Sequence, residues 1–529
     1  MKRKSGCVLR MPAVVLPLLV FPSLVNAQFP PPKPLPPHKN VTSAAALLPT
    51  PSAASPWQLL NIQPPVLDYT DCGPGTPLLL TDGTVMLADK GCQDWWKLTP
   101  DQFGSYVNGR WTQLASLPAG YSPLYHSSAV LPDGRVIIEG GEYNFLKAVW
   151  TNMGAIYDPG TNNWTMVKPP AGWSTIGDAQ SVVLANGTYM QANCCTTQSA
   201  LLDPATLAWA STGANKFDVH DEEGWTLLPN GKVLTVDAYV PIGITYMPTD
   251  TNSEIYDAAT GSWSSAGSTV LQLWDSAHGC GGQRHASFEV GPGVLRPDGT
   301  VFYTGANSCG AGHTAIYDSD SDTWTAGPDF PGTLDIADGP AALEPNGMVL
   351  MMTSPLIFNT PASFLEWDGT SLTQAPPAPN AANDSSFYGN FLVLPTGQIL
   401  FTDFFFVSVY NPVGTYKLAW APVIKSAPSV ISPGRSYVIS GYRFNGMSQA
   451  SAYGDDFQSA TNYPLVRITN NRTGHVFYSR THDHSSMAVA STSLVSTHFE
   501  VPRAQEHGVS RLEVVANGIA SASTEVRVE

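Results

Sequence analysis

Charged residues are scarce in this chain, and basic residues are the scarcest. Only 13% of the 529 residues are charged, with 26 Lys and Arg against 42 Asp and Glu, which gives a formal net charge of −16. An acidic chain is a poor partner for nucleic acids and anionic membranes, because both bind basic patches. After the first 27 residues no apolar run approaches the ~18 residues of a membrane-spanning helix. We therefore expect neither nucleic acid nor a membrane as a partner.

The N-terminal segment predicts export. Residues 1–27 begin with basic residues, continue with an apolar run over Met11–Val25 and end in Val25-Asn26-Ala27, the pattern of a secretory signal peptide. Residues 28–55 are rich in Pro, Ala and Ser and are interpreted as a linker. We expect a monomer that is secreted or periplasmic.

Cysteine is also scarce, with 7 in the whole chain, of which Cys7 lies in the predicted signal peptide. In an exported protein the remaining cysteines favour disulfides, although the sequence does not fix their pairing. Plausible bridges are Cys72–Cys92 and Cys280–Cys309, because each pair flanks one predicted hairpin. The adjacent Cys194 and Cys195 could pair with each other or remain thiols.

A hairpin motif recurs seven times at intervals of roughly 50 residues, a spacing typical of β-propellers. Each copy is an apolar run, a two-residue turn with Gly in second place, and another apolar run, as in LLLTDGTVML. Asx-Gly between apolar strands predicts a type I′ turn, which needs positive φ at both central residues. The turns are Asp82-Gly83, Asp133-Gly134, Asn186-Gly187, Asn230-Gly231, Asp298-Gly299, Asn346-Gly347 and Thr396-Gly397.

After most hairpins a strand ending in Tyr-Asp, a turn and a strand containing Trp complete the repeat, as in AIYDPGTNNWT and AIYDSDSDTWT. This pattern resembles kelch repeats and implies seven four-stranded blades over residues 56–415. The seventh copy has no Trp strand after it, whereas SPWQLLN, with Trp57, precedes the first copy. We expect the Trp57 strand to complete the last blade and close the ring.

Residues 416–529 lack the repeat and show short alternating strands, which predict an immunoglobulin-like β-sandwich. The fold class predicted for the chain is therefore all-β, a seven-bladed kelch-type β-propeller followed by an immunoglobulin-like domain.

The hairpins also supply a register for the innermost strands, which line the central channel of a propeller. Most residues eight positions before each turn are polar or ionisable, and channel mouths are where propellers bind ligands. These ring positions are Pro74, Tyr125, Asp178, Glu222, Val290, Asp338 and Tyr388. His285, on a loop leading into an inner strand, is a further candidate for this ligand-binding ring.

Two inner strands, LYHSSAVLPDGRVIIEGG and SSFYGNFLVLPTGQILF, are similar to those of the galactose oxidase and glyoxal oxidase family. The resemblance implies a mononuclear copper site with Tyr125 as the radical tyrosine and Tyr388 as the axial tyrosine. It further implies Cys72 as the cysteine cross-linked to Tyr125, Tyr143 as the aromatic over the radical, and His482 as the ligand from the C-terminal domain.

The chain departs from this family directly after Tyr388. The family has a histidine there, and this chain has Gly389, which offers no donor atom. His484 is the nearest substitute, because residues i and i+2 of a strand point the same way.

A second kind of site is open to the ring carboxylates. Asp178, Glu222 and Asp338 could hold Ca²⁺ or another hard cation through their oxygens, or act on a sugar as paired acids and bases.

The sequence is therefore compatible with two functions. The departure at Gly389 favours a propeller that binds a glycan, an extracellular protein or a metal at its channel mouth. The alternative is a copper-radical oxidase that converts a primary alcohol or aldehyde to an aldehyde or acid while O₂ becomes H₂O₂.

Overall fold

The computed structural model describes residues 55–65, 72–238, 251–276, 287–456 and 459–529. The predicted signal peptide, 1–27, and all but residue 55 of the predicted linker lie outside the described residues, as does His285. Over the described ranges the chain is all-β, and its helices are three short 3₁₀ turns, Ala381–Asn383, Ser386–Tyr388 and Leu418–Trp420. In that part of the chain no helix has the length and apolar character to cross a membrane.

Seven antiparallel sheets with a common four-stranded path form the blades of a propeller, which confirms the predicted fold class. From the channel outward, blades 1 to 3 consist of Pro74–Leu79, Val85–Asp89, Trp95–Thr99 and Arg110–Gln113; Ser127–Val130, Val136–Glu139, Gly154–Asp158 and Asn163–Val167; and Ser181–Val183, Tyr189–Ala192, Ser199–Asp203 and Ala208–Ser211. Blades 4 to 6 consist of Thr226–Leu227, Val233–Val236, Asn252–Asp257 and Ser262–Ser268; Gly293–Leu295, Thr300–Thr304, Thr314–Asp318 and Thr323–Ala326; and Ala341–Leu343, Val349–Pro355, Ser363–Trp367 and Leu372–Ala375. Blade 7 consists of Asn390–Val393, Ile399–Thr402, Val407–Tyr410 and, from the start of the propeller, Trp57–Leu59.

Three short strands, Pro123–Leu124, Tyr143–Asn144 and Lys147–Ala148, form a small sheet beside blade 2. Leu334–Asp335 adds to the second strand of blade 6.

The ring is closed by the N-terminal strand, as the Trp57 segment predicts. Trp57 is directly opposite Tyr410, and their ring centroids are 4.8 Å apart. The same Tyr/Trp cross-strand pair occurs within single blades, for example between Tyr157 and Trp164 at 5.1 Å. Cross-strand aromatic pairs of this kind stabilise a sheet. The Tyr-Asp, turn and Trp motif is therefore the outer hairpin of a blade, and blade 7 builds it from both ends of the propeller chain.

The seven hairpin turns differ from the predicted type I′ conformation. In the first, the Gly83 N–H donates to Leu80 O at 3.0 Å and the Leu80 N–H donates to Thr84 O at 2.8 Å, and of the two turn residues only Gly83 has positive φ, at 75°. This is a type I turn followed by a glycine bulge, the common three-residue hairpin. The Asp82 side chain accepts the Thr84 N–H at 3.0 Å, which stabilises the turn. Asx-Gly is compatible with a type I′ turn and with a type I turn followed by a glycine bulge. The motif therefore predicted the positions of the turns correctly, but the predicted type I′ conformation was wrong.

Burial falls from the channel outward within each blade. The inner strand Pro74–Leu79 is buried at every position, whereas the outer strand Arg110–Gln113 of the same blade is mainly exposed. The apolar core is formed where neighbouring blades face each other, with Leu, Val, Ile and aromatic side chains from the inner three strands. In blade 6 the tryptophan, Trp367, ends the third strand, whereas in most blades it lies in the fourth.

The C-terminal domain has nine strands, eight of them on one hydrogen-bonded path, around a separate apolar core that includes Ile439, Val466 and Phe499. In order of pairing they are Val423–Ser426, Ser436–Tyr442, Val495–Glu500, Val476–His482, Leu465–Asn470, Gly508–Ala516, Thr524–Val528 and Val430–Ile431, with Ile519–Ala520 beside Gly508–Ala516. This arrangement is a β-sandwich. A short strand, Ser451–Ala452, leaves it and pairs with blade 6.

Candidate functional site at the upper end of the channel

The channel has two different ends. Inner strands begin at the upper end and finish at the turn face, which carries the seven hairpin turns. The C-terminal domain packs on the turn face: a Cβ added to Gly83 would lie 2.4 Å from the ring of Tyr478, and one added to Gly347 would lie 2.7 Å from the ring of Trp420. The loops that precede the inner strands surround the upper end of the channel.

One segment of the C-terminal domain extends from the turn face to the upper end. Residues 448–456, here called the channel segment, follow the inner strand of blade 6. The Leu343 N–H donates to Ala450 O at 2.6 Å, and Ser451 and Ala452 pair with Ala342 and Ala341. Backbone pairing therefore fixes the direction of the segment along the channel.

Side chains of the channel segment contact blades on other sides of the channel. Gln449 Oε1 accepts the Leu227 N–H of blade 4 at 2.7 Å, and Tyr453 Oη donates to Phe387 O before blade 7 at 3.0 Å. Gly454 O lies so close to blade 4 that a Cβ on Gly224 would be 1.9 Å from it. The glycine at 224 is thus required for the close approach.

Four buried carboxylates meet where the channel segment ends. Glu222, Glu289 and Asp338 precede the inner strands of blades 4, 5 and 6, and Asp455 comes from the channel segment. Each offers an oxygen that lies within 4.8 Å of the oxygens of the other three. We call these four residues the channel cluster.

Asp455 also joins a second group. Its carboxylate lies within 4.8 Å of oxygens from Asp178, before blade 3, and Asp456. Asp455 is 1% exposed; its Oδ1 accepts the Asp456 N–H at 2.8 Å, whereas its Oδ2 has no hydrogen-bond partner among the described residues. One carboxylate of the channel segment therefore connects two sets of oxygen donors.

The backbone at Glu222 is strained. Its φ is 56°, in the left-handed region that costs a non-glycine residue roughly 1–2 kcal/mol. Strain of this kind persists where surrounding structure imposes it, and it concentrates at functional sites.

The next residue in sequence belongs to a different cluster. Glu223 Oε2 lies 2.9 Å from Lys216 Nζ, and Asp237 and Glu254 lie 3.1 and 3.4 Å from the same nitrogen, all with side chains no more than 1% exposed. We call these four residues the lysine cluster. Burial alone would lower the pKa of Lys216, but the carboxylates of Asp237 and Glu223 outweigh it and raise that pKa well above its usual value.

A disulfide between Cys194 and Cys195 lies beside both clusters, which answers the open question about these cysteines. The Cys194 N–H donates to Ile176 O and the Cys195 N–H to His220 O, both at 2.9 Å. Ile176 and His220 each stand two residues before a channel carboxylate, Asp178 and Glu222. The Cys194–Cys195 pair thus connects the loops that carry them.

Of the residues implied by resemblance to the oxidases, the structure brings together Tyr125 and Tyr143. Their rings meet edge to face with centroids 6.1 Å apart, and Tyr125 has a φ of 51°. Tyr388 instead packs against Phe387 and Phe404, with centroids 4.4 and 5.3 Å away. Burial and the nearby Asp384 raise the pKa of Tyr388 to about 12.

Cys72 is bonded to Cys92. This disulfide corrects the thioether implied between Cys72 and Tyr125, because a sulfur in a disulfide has no thiol left to attach to a ring carbon. Cys309 is also disulfide-bonded, and its predicted partner, Cys280, lies outside the described residues.

The two histidines predicted as metal ligands lie at the wrong end of the channel. The His484 N–H donates to Pro132 O, in the hairpin turn of blade 2, and the Thr481 N–H donates to Thr81 O, in that of blade 1. Tyr125 lies seven residues before Pro132, just ahead of the inner strand that leads to this turn. His482 ends a strand of the C-terminal sheet, and burial lowers the pKa of His484 to about 3. Neither imidazole accompanies Tyr125 or Tyr388.

Copper does not fit the donors found around these tyrosines. A histidine at position 389 would require its neighbours to move, because a Cβ there would lie 2.3 Å from Met352 Sδ and 3.0 Å from the Phe401 ring. The segment that enters the channel brings Tyr453, Asp455 and Asp456 and no imidazole. Carboxylate oxygens suit hard cations, whereas copper prefers imidazole and thiolate.

Sequence reasoning missed three carboxylates, those of Glu289, Asp455 and Asp456. Glu289 stands one position before the predicted ring residue Val290, and a φ of 64° at Phe288 displaces the register there. Asp455 and Asp456 lie in a domain without repeats. A pair of adjacent acids in SAYGDDF was the only signal, and it carries no position in the ring.

Comparison with known proteins gives partial similarity. No family model matches the chain. A kelch-like protein, terF, of Aspergillus terreus is 29% identical over 126 residues, which cover 23% of this chain and 26% of that protein. The match thus spans about a quarter of the relative's length.

Solved structures with weak similarity include a fungal alcohol oxidase and a bacterial GH74 enzyme. A fungal alcohol oxidase of the AA5 family, in complex with copper, is 14% identical with a TM-score of 0.41, covering 88% of this chain and 87% of its own. The GH74 enzyme of Niastella koreensis is 13% identical with a TM-score of 0.43, covering 86% and 74%. TM-scores below 0.5 indicate only a distant similarity, which says nothing about the chemistry of this chain. The propeller architecture is identified from the seven sheets of this structure. The chain is a seven-bladed β-propeller with a C-terminal β-sandwich, and about a quarter of it is similar in sequence to a kelch-like protein.

Proposed function

We propose that this protein is an exported binding protein that holds a hard divalent cation, with Ca²⁺ as the best match, at the upper end of its propeller channel. The cation would be held by the channel cluster, and a carbohydrate or an extracellular protein would bind at the mouth above it. The observation that carries the proposal is the convergence of four buried carboxylates from three blades and the channel segment.

The oxygens are close enough to share one cation. Two ligands on opposite sides of Ca²⁺, each ~2.4 Å from the ion, are about 4.8 Å apart. The oxygens of Glu222, Glu289, Asp338 and Asp455 lie no farther than 4.8 Å from one another, so small side-chain movements would bring all four onto one ion. Calcium tolerates irregular sets of six to eight oxygens, whereas Mg²⁺ demands near-octahedral geometry.

Asp455 gives independent support. A carboxylate oxygen that is buried without a hydrogen-bond partner costs free energy, and Asp455 Oδ2 is such an atom among the described residues. A bound cation would supply the missing interaction. It would also attach the channel segment to blades 4, 5 and 6.

The hairpin next to Tyr143 supports a partner at the mouth. Its turn residues, Phe145 and Leu146, have φ of 51° and 59°, and Phe145 is 43% exposed. Two consecutive non-glycine residues in the left-handed region cost roughly 1–2 kcal/mol each, and the result is an aromatic ring presented to solvent. Exposed aromatic faces are common contacts for sugars and for protein partners.

The test is cation binding by the full secreted chain after treatment with EDTA. Titration with Ca²⁺ by calorimetry and with Tb³⁺ by luminescence should show one saturable site in the wild type. Asp455→Asn combined with Asp338→Asn should abolish it, because both remove ligand charge at nearly constant shape. Glu525→Gln, which removes an exposed charge, is the matched control and should bind as the wild type does.

Equal binding by the double variant, or no binding by the wild type at millimolar Ca²⁺, would contradict the proposal. Circular dichroism of the double variant separates loss of the site from loss of the fold. For the partner, a glycan array and a pull-down from extracellular protein should show binding that Phe145→Ala weakens.

The second candidate, a copper-radical oxidase acting on a primary alcohol or aldehyde, is favoured by the contact between Tyr125 and Tyr143. The carboxylate donors around these tyrosines do not fit copper. Peroxide production from galactose, glyoxal or methylglyoxal by the copper-loaded chain would overturn the preference for a binding protein.

A further inference from the structure

A second group of metal-ligating side chains lies on the C-terminal sheet, away from the channel. His482 is the last residue of the strand Val476–His482 and is directly opposite His498 on the strand Val495–Glu500. Directly paired residues of antiparallel strands place their side chains on the same face. The two imidazole rings are nearly parallel, with an interplanar angle of 15° and centroids 5.5 Å apart.

A carboxylate lies between these rings. Asp483 has a φ of 53°, which turns the chain at the end of the strand. Its Oδ2 lies 2.8 Å from His482 Nδ1 and 3.8 Å from His498 Nδ1. One ligand atom from each of the three residues lies within 4.8 Å of the other two.

The imidazole of His482 also has a carboxylate behind it. Glu500 Oε1 lies 3.6 Å from His482 Nε2, and Arg480 holds Glu500 through two bonds of 3.1 and 3.0 Å. A metal-bound histidine usually donates its other N–H to a carboxylate, which fixes the ring and its tautomer. Glu500 lies on the side of His482 where such a carboxylate is found, at an ion-pair distance that is longer than a hydrogen bond.

We propose that His482, Asp483 and His498 form a binding site for a borderline transition-metal cation, with Zn²⁺ as its representative. Two imidazoles and one carboxylate are a typical ligand set for Zn²⁺, and three protein ligands leave a coordination position for water or an exogenous ligand. The site is reachable from solvent, since Asp483 and His498 side chains are 59% and 46% exposed. His498 Nδ1 has no hydrogen-bond partner among the described residues and is available as a ligand atom.

This site differs from the channel cluster in its donors and its place. The channel cluster offers four oxygens, which suit Ca²⁺, whereas this site offers two nitrogens and one oxygen, which suit Zn²⁺. The two proposals can therefore be tested independently, and Ca²⁺ should not compete with Zn²⁺ for the imidazole site.

The experiment is calorimetric titration of the EDTA-treated, full-length secreted protein with Zn²⁺ in the presence of saturating Ca²⁺. One Zn²⁺ per chain is expected. His498→Ala and Asp483→Asn should each weaken binding at least ~100-fold, and Glu500→Gln by about 10-fold, the range seen when an outer partner of a metal ligand is removed. His507→Ala removes an exposed histidine elsewhere on the same domain and should leave Zn²⁺ binding unchanged.

Co²⁺ provides a second readout, because its visible absorption reports nitrogen coordination. The wild type should develop these bands and His498→Ala should not, while both keep the same circular dichroism and the same affinity for Ca²⁺. Wild-type Zn²⁺ affinity in His498→Ala, or no Zn²⁺ binding by the wild type at millimolar concentration, would overturn the proposal.

Discussion

Two neighbouring residues, Glu222 and Glu223, send their carboxylates into two different buried acidic clusters. Glu223 meets the ammonium group of Lys216, which Asp237 and Glu254 share. Glu222 meets Glu289, Asp338 and Asp455 at the end of the channel. The lysine cluster thus contains its cation as part of the chain, whereas the channel cluster is proposed to take one from solution.

Both clusters are groups of buried carboxylates. The source of the cation distinguishes the one that stabilises the fold from the one that is proposed to bind a ligand. A buried lysine with several carboxylates is a permanent element of the fold, because removal of one partner leaves uncompensated charge. A cluster whose cation comes from solution has a stability that depends on the concentration of that ion. The four predictions that follow test this distinction, from the largest expected effect to the smallest.

Lys216→Met should have the largest effect, a loss of about 3–5 kcal/mol in the free energy of unfolding, the range for a buried ion pair that loses one partner. The substitution leaves Glu223, Asp237 and Glu254 without their shared ammonium group. Urea denaturation followed by fluorescence measures it. Lys232→Met, on the exposed pair with Asp257 at 3.8 Å, is the control and should cost no more than ~1 kcal/mol. Equal losses of unfolding free energy in the two variants would show that the buried lysine cluster stabilises the fold no more than an exposed ion pair does.

Removal of divalent cations should have the next largest effect. At a Ca²⁺ concentration of 100 Kd, ligand binding stabilises the native state by ~2.7 kcal/mol, and EDTA should remove that amount from the wild type. Asp455→Asn should lose this dependence, whereas Lys216→Met should keep it. Thermal melting with and without Ca²⁺ distinguishes these cases, and a calcium response that survives in Asp455→Asn would assign the ion to another site.

The third prediction concerns pH. Burial is the main cause that raises the pKa of Asp218, next to the lysine cluster, from its usual value of 3.8 to about 7. The native state then holds a proton that the unfolded state has lost, so this residue's contribution to stability falls as pH rises from about 4 to about 7. Asp218→Asn removes this titration, and its free energy of unfolding should depend less on pH over that window. An unchanged pH profile would show that Asp218 is ionised in the native state.

The smallest effect is expected at the disulfide beside the clusters. Replacing Cys194 and Cys195 together with Ser should change stability by less than about 1 kcal/mol, because a bridge between adjacent residues closes no loop of appreciable entropy. The backbone bonds from residues 194 and 195 to Ile176 and His220 can remain. Chemical denaturation provides the number, and a loss comparable to that of Lys216→Met would mean that the disulfide holds the loops in place.

The fold was largely predictable because its signals are local and repeated. Each blade contains a hairpin turn, and the missing outer strand of blade 7 was found by its Trp57. The prediction of type I′ turns failed because Asx-Gly fits two hairpin conformations, and only the structure shows that Gly83 alone has positive φ.

The candidate site was predictable only where the repeat reaches it. Counting from the turns gave Asp178, Glu222 and Asp338, whereas Asp455 lies in a segment whose path through the channel depends on pairing with blade 6. The C-terminal domain has no repeat, so nothing in its sequence shows that residues 448–456, and not His482, enter the channel. The contact of His482 with His498 depends on strand register in that domain, which the spacing of the two histidines does not reveal.

The way blade 7 is built has a consequence for the order in which this protein can fold. Pro56 and Asn411, which are hydrogen-bonded at the ring closure, stand 355 residues apart. At 5–20 residues per second a ribosome needs on the order of 20 to 70 s to make that interval. The first propeller strand to be synthesised is therefore the last to find its partner, and until then blade 7 presents an unpaired edge to other chains. A change at Trp57 should accordingly appear first in the yield of folded protein.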